Sequence, residues 1–346
     1  MKRRHTIEDV ARLAGVGKVT VSYVINGRTK EARISEETEQ RVLAAAASLD
    51  YRPSAIARMM SQKRADSIAV VFQYSDHFTA SSTFITEAMR GVCEACVEQG
   101  LDLMLHTKPV QDAQEEADRL TDGRVDGVLM LRDGDDPALR AILRRSFPCV
   151  LFFSRSPDPD VPFVDCDNFA GGRIATQHLL SLGHKDIGMI VGPAGSVASN
   201  DRFNGYRDAL ETAGISPNPD WVVTVPGPSY DAEPLQRMMS AERRPTALFV
   251  WSDDVAFMLM QKLAEWGISV PRDVSLVGFD SSDACERVTP PLTSVRQPVS
   301  AMARDAARLL AKLARREPVE RTGLVYPPTL DIRASSIPFV ESAIAL

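Results

Sequence analysis

The chain has 346 residues, 44% hydrophobic and 25% charged, with a formal net charge of −6, which gives room for a small module plus one large or two medium domains. No apolar run reaches 18 residues, which excludes an ordinary spanning helix, and the basic start MKRRHTIEDV lacks the apolar stretch of a secretory signal. A cytoplasmic protein with no membrane partner is therefore expected, and five sparse cysteines fit a reducing compartment.

Charge is unevenly spread. Residues 1–65 hold 13 Lys and Arg against 7 Asp and Glu, a net of +6, which leaves −12 on the rest. A basic head on an acidic body predicts that the head alone meets a polyanion.

In chain order, Ile7, Val10, Ala11 and Ala14 share one helix face, with Thr6 and Asp9 as a capping pair. Gly15-Val16-Gly17 breaks that helix, and a second starts near Lys18 and buries Val21, Val24 and Ile25. Helix, glycine turn, helix is the shape of a DNA-reading helix-turn-helix, although an ordinary helical hairpin has the same pattern. After the polar loop 27–33, Ser35 caps a third helix from Glu36 to about Leu49, whose Val42, Leu43, Ala46 and Leu49 cover the first two. Three helices in about 45 residues make a core of marginal stability. Tyr51-Arg52-Pro53 ends it, and Ser54 to Met60 is a helix too short to stand alone in water. Such a segment between head and body is a candidate order–disorder switch.

The segments TIEDVARLAGV, TVS, NG, SEET, Tyr51-x-Pro53 and Ala57-Arg58 resemble the head and hinge of lactose/galactose-repressor-type bacterial transcription regulators. The resemblance implies that Lys18, Val19 and Tyr23 read base edges and that Thr20 and Ser22 lie nearer the phosphates. It also places Thr6, Gly17, Asn26, Ser54 and Ala57 at the DNA. Met60 stands where the family wedges a Leu into the minor groove, and Met is an apolar wedge too. Gly17 stands for a usual Ser, Tyr23 for a frequent Arg and Ser54 for a usual Asn, and the loop before the third helix is about three residues longer than in shorter members. Val19 and Tyr23 favour thymine methyls or ring packing over bidentate hydrogen bonds.

From Ser67 onward, apolar runs at 68–72, 101–105, 125–131, 149–153, 187–191, 221–225, 247–251 and 274–279 alternate with helical patterns. That is βα alternation with buried parallel strands, repeated in two doubly wound halves with a cleft between them. The expected fold is a small all-α helix-turn-helix domain plus an α/β body of two doubly wound parallel-sheet subdomains. The expected domains are a head at 1–50, a hinge and linker at 51–66, and a body at 67–346. Within the body, one subdomain covers about 67–166 and 296–326, the other about 167–295 and 327–346.

The resemblance continues through DNFAGG (167–172), HLLSLGH (178–184), Arg202 with Gly205-Tyr206, VGFD (277–280), TPPLTSVRQP (289–298) and Leu330-x-x-Arg333-x-Ser335. It implies a periplasmic-binding-protein-like body. Arg202 supplies forked donors and Asp280 accepts from hydroxyls, a complementary pair for a polyhydroxy ligand, with a helix cap or a structural salt bridge as the plainer readings. Trp251-Ser252-Asp253 replaces the family's Ala-Asn-Asp, and Trp251 is either a stacking platform or a space-filler. Tyr74, Phe78, Phe153 and Arg155 complete the candidate effector set.

Cys93 and Cys96 sit in a helical pattern and read as core rather than metal ligands, while His178 and His184 read as helix-end and turn residues. Gly192 to Ser196 fits no phosphate-loop pattern. No nucleophile elbow or H-E-x-x-H occurs, so no enzyme, metal or cofactor is expected. No heptad run follows Arg333, which leaves a homodimer on a roughly palindromic double-stranded operator. The leading reading is a repressor controlled by a small molecule, by family habit a sugar. A cytosolic ligand-binding module and a corepressor-type regulator answering to a purine or phosphorylated metabolite are the alternatives.

Overall fold

A computed structural model describes the chain except residues 1–4, 53–58, 60–63, 73–81, 108–109, 111, 133, 226, 228–229, 231 and 341–346. The chain divides between Asp66 and Ser67 into two compact units.

The head holds α1 (Ile7–Ala14), α2 (Lys18–Ile25) and α3 (Glu36–Ser48). The Thr6 backbone amide donates to Asp9 at 2.9 Å, closing the start of α1. Gly15 ends α1 at φ +66°, a conformation that costs glycine nothing. Ser35 caps α3 by accepting from the Thr38 amide at 3.3 Å. Val10, Ala11, Ala14, Val21, Val24, Val42, Ala45 and Ala46 form the core. Leu43 corrects the expectation: it is 41% exposed, because Val42, Ala45 and Ala46 set the buried stripe and Leu43 falls out of phase with it.

The body is two lobes. The first sheet runs β11-β5-β4-β3-β1-β2, all parallel. Its strands are β1 (Ser67–Phe72), β2 (Asp102–His106), β3 (Val128–Leu131), β4 (Cys149–Phe152), β5 (Phe163–Cys166) and β11 (Gly323–Tyr326). The second runs β12-β10-β9-β8-β6-β7, parallel except for the antiparallel edge β12. Its strands are β6 (Ile187–Val191), β7 (Val222–Thr224), β8 (Ala247–Val250), β9 (Ser275–Asp280), β10 (Thr293–Arg296) and β12 (Thr329–Asp331).

Helices cover both faces of each sheet, as parallel strands buried on two sides require. In the first lobe α4 (Thr83–Gln99) and α11 (Val299–Ala314) take one face and α5 (Ala113–Leu120) and α6 (Pro137–Leu143) the other. In the second lobe α7 (Asn168–Ser181) and α8 (Val197–Thr212) oppose α9 (Glu233–Met239) and α10 (Asp253–Glu265). The chain changes lobes three times, after Cys166, between Arg296 and Val299, and between Tyr326 and Thr329. Carboxyl ends of the parallel strands bound the cleft. Cys96 is buried as expected, but Cys93 is exposed.

Candidate DNA-reading face and effector cleft

In the head, burial of Val21 and Val24 turns the opposite side of α2 outward. Val19 is 69% exposed, an apolar side chain left in water beside the exposed Lys18. The Lys18 ammonium pairs with the Glu8 carboxylate of α1 in an exposed ion pair. Thr20, Ser22 and Tyr23 are half-buried. Asn26 Nδ2 donates to the Ser22 carbonyl at 2.8 Å, and Arg28 lies 5.5 Å from the Tyr23 ring centroid. Gly17 begins α2 without a side-chain cap, and a Cβ there would meet nothing. The first turn of α2 is therefore left without a side-chain cap. Ser54, Ala57 and Met60 lie outside the described residues.

In the body, the central group is Arg202 on α8. It is buried, its guanidinium carbon 3.5 Å from the Phe279 ring centroid. Its Nε donates to Asn168 Oδ1 at 2.9 Å and its Nη1 to the Trp251 carbonyl. Helices α7 and α8 approach closely enough to set it because Gly172 and Gly205 carry no side chain: a Cβ at either would lie 2.1 Å from a backbone oxygen of the other helix. Burial pulls the Arg202 pKa down, and Asp280 is the foremost charge pushing it back.

Asp280 ends β9. It is buried, accepts from Gln297 Nε2 at 2.6 Å, and holds φ +114°, a region non-glycine residues seldom occupy outside functional sites. Burial pushes its carboxyl well above the usual range, against the pull of Arg202. Forked donor and carboxylate acceptor are thus neighbours whose charges act on each other. Trp251 joins them as a half-buried wall, its ring centroid 6.0 Å from the Arg202 guanidinium and its Nε1 buried without a partner.

Three expectations are corrected. Asp253 is fully buried and accepts from Ser294 Oγ at 2.6 Å, the Ser282 amide at 2.9 Å and Cys285 Sγ at 3.0 Å. It braces the loop that follows Asp280 and offers no atom to the cleft. Phe153 packs in the first lobe's core against Phe84 at 4.7 Å and Phe152 at 5.3 Å. Ser252 caps α10, accepting from the Val255 amide at 3.4 Å. Arg155 reaches the cleft, but paired with Asp165 and Asp201. Tyr74 and Phe78 lie outside the described residues. Sequence reasoning missed Asn168, Asp165, Gln297 and Asp254 as members of the site. Asn168 and Gln297 had a local signal, their places in the DNFAGG and TPPLTSVRQP segments.

His178 and His184 tie the chain end to the second lobe, through Ser336 at 2.9 Å and through Thr246 and the Ile337 carbonyl at 2.9 and 3.0 Å. No group of three metal-ligating side chains occurs among the described residues, and no described helix is long and apolar enough to cross a membrane.

A family model described as bacterial regulatory proteins, lacI family, matches residues 6–54, and a periplasmic binding protein-like domain matches 176–336. The HTH-type transcriptional regulator CelR of Thermobifida fusca is 36% identical over 341 residues, covering 96% of this chain and 99% of that one. The chain belongs to the lacI family of bacterial regulatory proteins. The HTH-type transcriptional repressor PurR of Haemophilus influenzae is 33% identical over 311 residues, 88% of this chain and 90% of PurR. A solved CelR–cellobiose complex superposes with a TM-score of 0.71 at 34% identity, over 96% of this chain and 100% of that one. The lac repressor dimer bound to operator and an anti-inducer shares the fold, with a TM-score of 0.78 at 23% identity over 97% and 100%. As a lacI-family member the chain is a DNA-binding transcription regulator under small-molecule control, not an enzyme.

Proposed function

We propose that the chain is a homodimeric repressor whose affinity for a roughly palindromic operator is set by an uncharged sugar held between the lobes of the body. Thr6, Gly17 to Thr20, Ser22, Tyr23 and Asn26 meet the DNA, with Ser54, Ala57 and Met60 at the hinge. Arg202, Asp280 and Trp251 contact the sugar, and Tyr74 and Phe78 remain candidates from the sequence. The protein works in the cytoplasm, on the nucleoid when bound to its operator. The domains are the head at 1–50, the hinge at 51–66 and the two-lobed body.

The observation that carries the choice of ligand is charge. Both cleft arginines have their charge offset by carboxylates: Arg155 pairs with Asp165 and Asp201, and Arg202, held by Asn168, the Trp251 carbonyl and the Phe279 face, has Asp280 as its foremost neighbouring charge. A phosphate needs a free guanidinium or ammonium, whereas a hydroxyl both donates and accepts and suits Arg202 beside Asp280. The cellobiose bound in the CelR complex supports the same class. PurR relatives support a second reading, a purine corepressor stacked on Trp251.

A thermal-shift screen of the full chain with mono- and disaccharides, sugar phosphates and purines tests this. Saccharide at about 100 times its dissociation constant adds roughly 2.7 kcal/mol. A shift with sugar phosphates or purines alone rejects the uncharged sugar.

A further inference from the structure

The two lobes are joined by side chains as well as by the three backbone crossings. Arg155 follows β4 in the first lobe. Its Nε lies 3.0 Å from Asp165 Oδ2 of β5, and its Nη2 pairs with Asp201 at the start of α8 in the second lobe. Asp165 Oδ1 accepts from Asn168 Nδ2 at 3.1 Å, and Asn168 Oδ1 accepts from Arg202 Nε at 2.9 Å. Arg202 is the next residue after Asp201, so the five side chains close a ring that passes through the candidate ligand arginine. A second contact crosses elsewhere: Asp254 of α10 accepts from Ser82 Oγ at 2.9 Å and from Thr83 Oγ1 at 3.0 Å, at the start of α4.

We propose that Arg155 is a releasable clasp between the lobes, and that the ring makes release of Asp201 and repositioning of Arg202 one event. The coupling to Arg202 rests on the reading of the cleft as the effector site; the clasp itself does not. Which half of the clasp gives way follows from exposure. The Asp165 side chain is 1% exposed and Asp201 is 26% exposed. Stripping the partner from a buried carboxylate costs far more than returning a partly wet one to water. Arg155 therefore stays with Asp165 when the lobes part, and Asp201 is the ion that leaves. The Nε–H of Arg155 and Oδ2 of Asp165, though 3.0 Å apart, are not aligned as a hydrogen bond and have no other partner. The guanidinium is thus drawn toward Asp201 at the expense of its geometry with Asp165, and it can settle onto Asp165 once Asp201 departs. Asp201 and Arg202 share one helical turn, so moving the first moves the second.

The test uses the full chain without any ligand. Spin labels at Gln114 and Gln236, exposed on opposite lobes, report the interlobe distance, with Cys93→Ser removing the exposed native thiol. Asp201→Asn, a mild change at a partly exposed helix position, should raise the separated population by roughly three- to tenfold. Raising salt to 1 M should move the parent protein in the same direction and leave the variant unchanged. Asp254→Asn, acting on the second contact, should add to Asp201→Asn rather than replace it. Distances that ignore Asp201→Asn overturn the clasp. Distances that respond while cellobiose binds both proteins equally keep the clasp and overturn its coupling to Arg202.

Discussion

Asp253 offers a test of whether a buried charge or a buried acceptor holds the loop after Asp280. Asp253→Ala would strand the Ser282 amide and the Ser294 hydroxyl, which now donate to it at 2.9 and 2.6 Å. Each buried donor left without a partner costs about 1–3 kcal/mol, so the Ala variant should lose roughly 3–5 kcal/mol. Asp253→Asn has the same shape. Its amide oxygen can keep the Ser282 amide and Cys285, and its Nδ2 can donate to Ser294 Oγ, which already accepts from the Ser281 amide at 3.1 Å. The Ser294 hydroxyl hydrogen then loses its acceptor, at about 1 kcal/mol. Against that, Asn escapes the desolvation that pushes the Asp253 carboxyl up to about 6. The Asn variant should therefore stay within about 1 kcal/mol of the parent at pH 7. Urea unfolding followed by tryptophan fluorescence is the assay, since all three tryptophans, Trp221, Trp251 and Trp266, lie in the second lobe. Equal destabilisation by Asn and Ala would refute the reasoning, because it would mean that the loop depends on the charge itself.

Other expectations follow from the same geometry. Gly192→Ala places a Cβ 2.5 and 2.6 Å from two Trp251 ring atoms. It should cost about 1–3 kcal/mol as overpacking and weaken sugar binding at least about tenfold; a calorimetric titration showing lost stability but intact sugar affinity would remove Trp251 from the cleft wall. Burial raises the Asp165 carboxyl to about 6. A raised acid stabilises the fold below its unfolded value, and the benefit is lost as pH climbs through 6. Asp165→Asn should therefore gain about 1 kcal/mol on the parent between pH 5 and pH 7. His178 and His184, both lowered by burial, act in the opposite sense but cancel in that difference. A difference flat with pH would contradict it. Lys18→Ala should weaken operator binding roughly tenfold and relax the base preference at the position it reads, with thermal stabilisation by any responsive saccharide unchanged; equal loss of both would contradict a separate head.

The head was readable because its signals are local. Thr6 with Asp9, Gly15, Ser35 and the 3.6-residue spacing of Val10, Ala14, Val21 and Val24 each act within a few residues. The eight strands read from apolar runs are likewise those whose side chains are mostly hydrophobic. Strands β5, β10, β11 and β12 escaped because they have three or four residues and mixed composition. In β10, the buried Thr293 amide donates to the Ser335 hydroxyl oxygen and the buried Ser294 hydroxyl donates to Asp253, both partners distant in sequence. The site was readable only in part for the same reason. Arg202 and Asp280 stood out by chemical type, but the partners that decide a role lie far along the chain: Asp253 with Ser294, 41 residues away, and Arg155 with Asp201, 46 residues away. An acidic residue beside a cleft tryptophan looks like a ligand contact in sequence, and only the fold shows it turned inward.

The most direct test of the central claim is fluorescence anisotropy of the full chain on an operator selected from a random duplex library, titrated with cellobiose and other uncharged saccharides and with their phosphates. The account predicts tight binding that weakens steeply with salt. It further predicts that at least one uncharged saccharide shifts operator affinity tenfold or more, and that Asp280→Ala abolishes that response while leaving operator binding intact. A response confined to phosphorylated sugars or purines, or a saccharide response that survives Asp280→Ala, would contradict it.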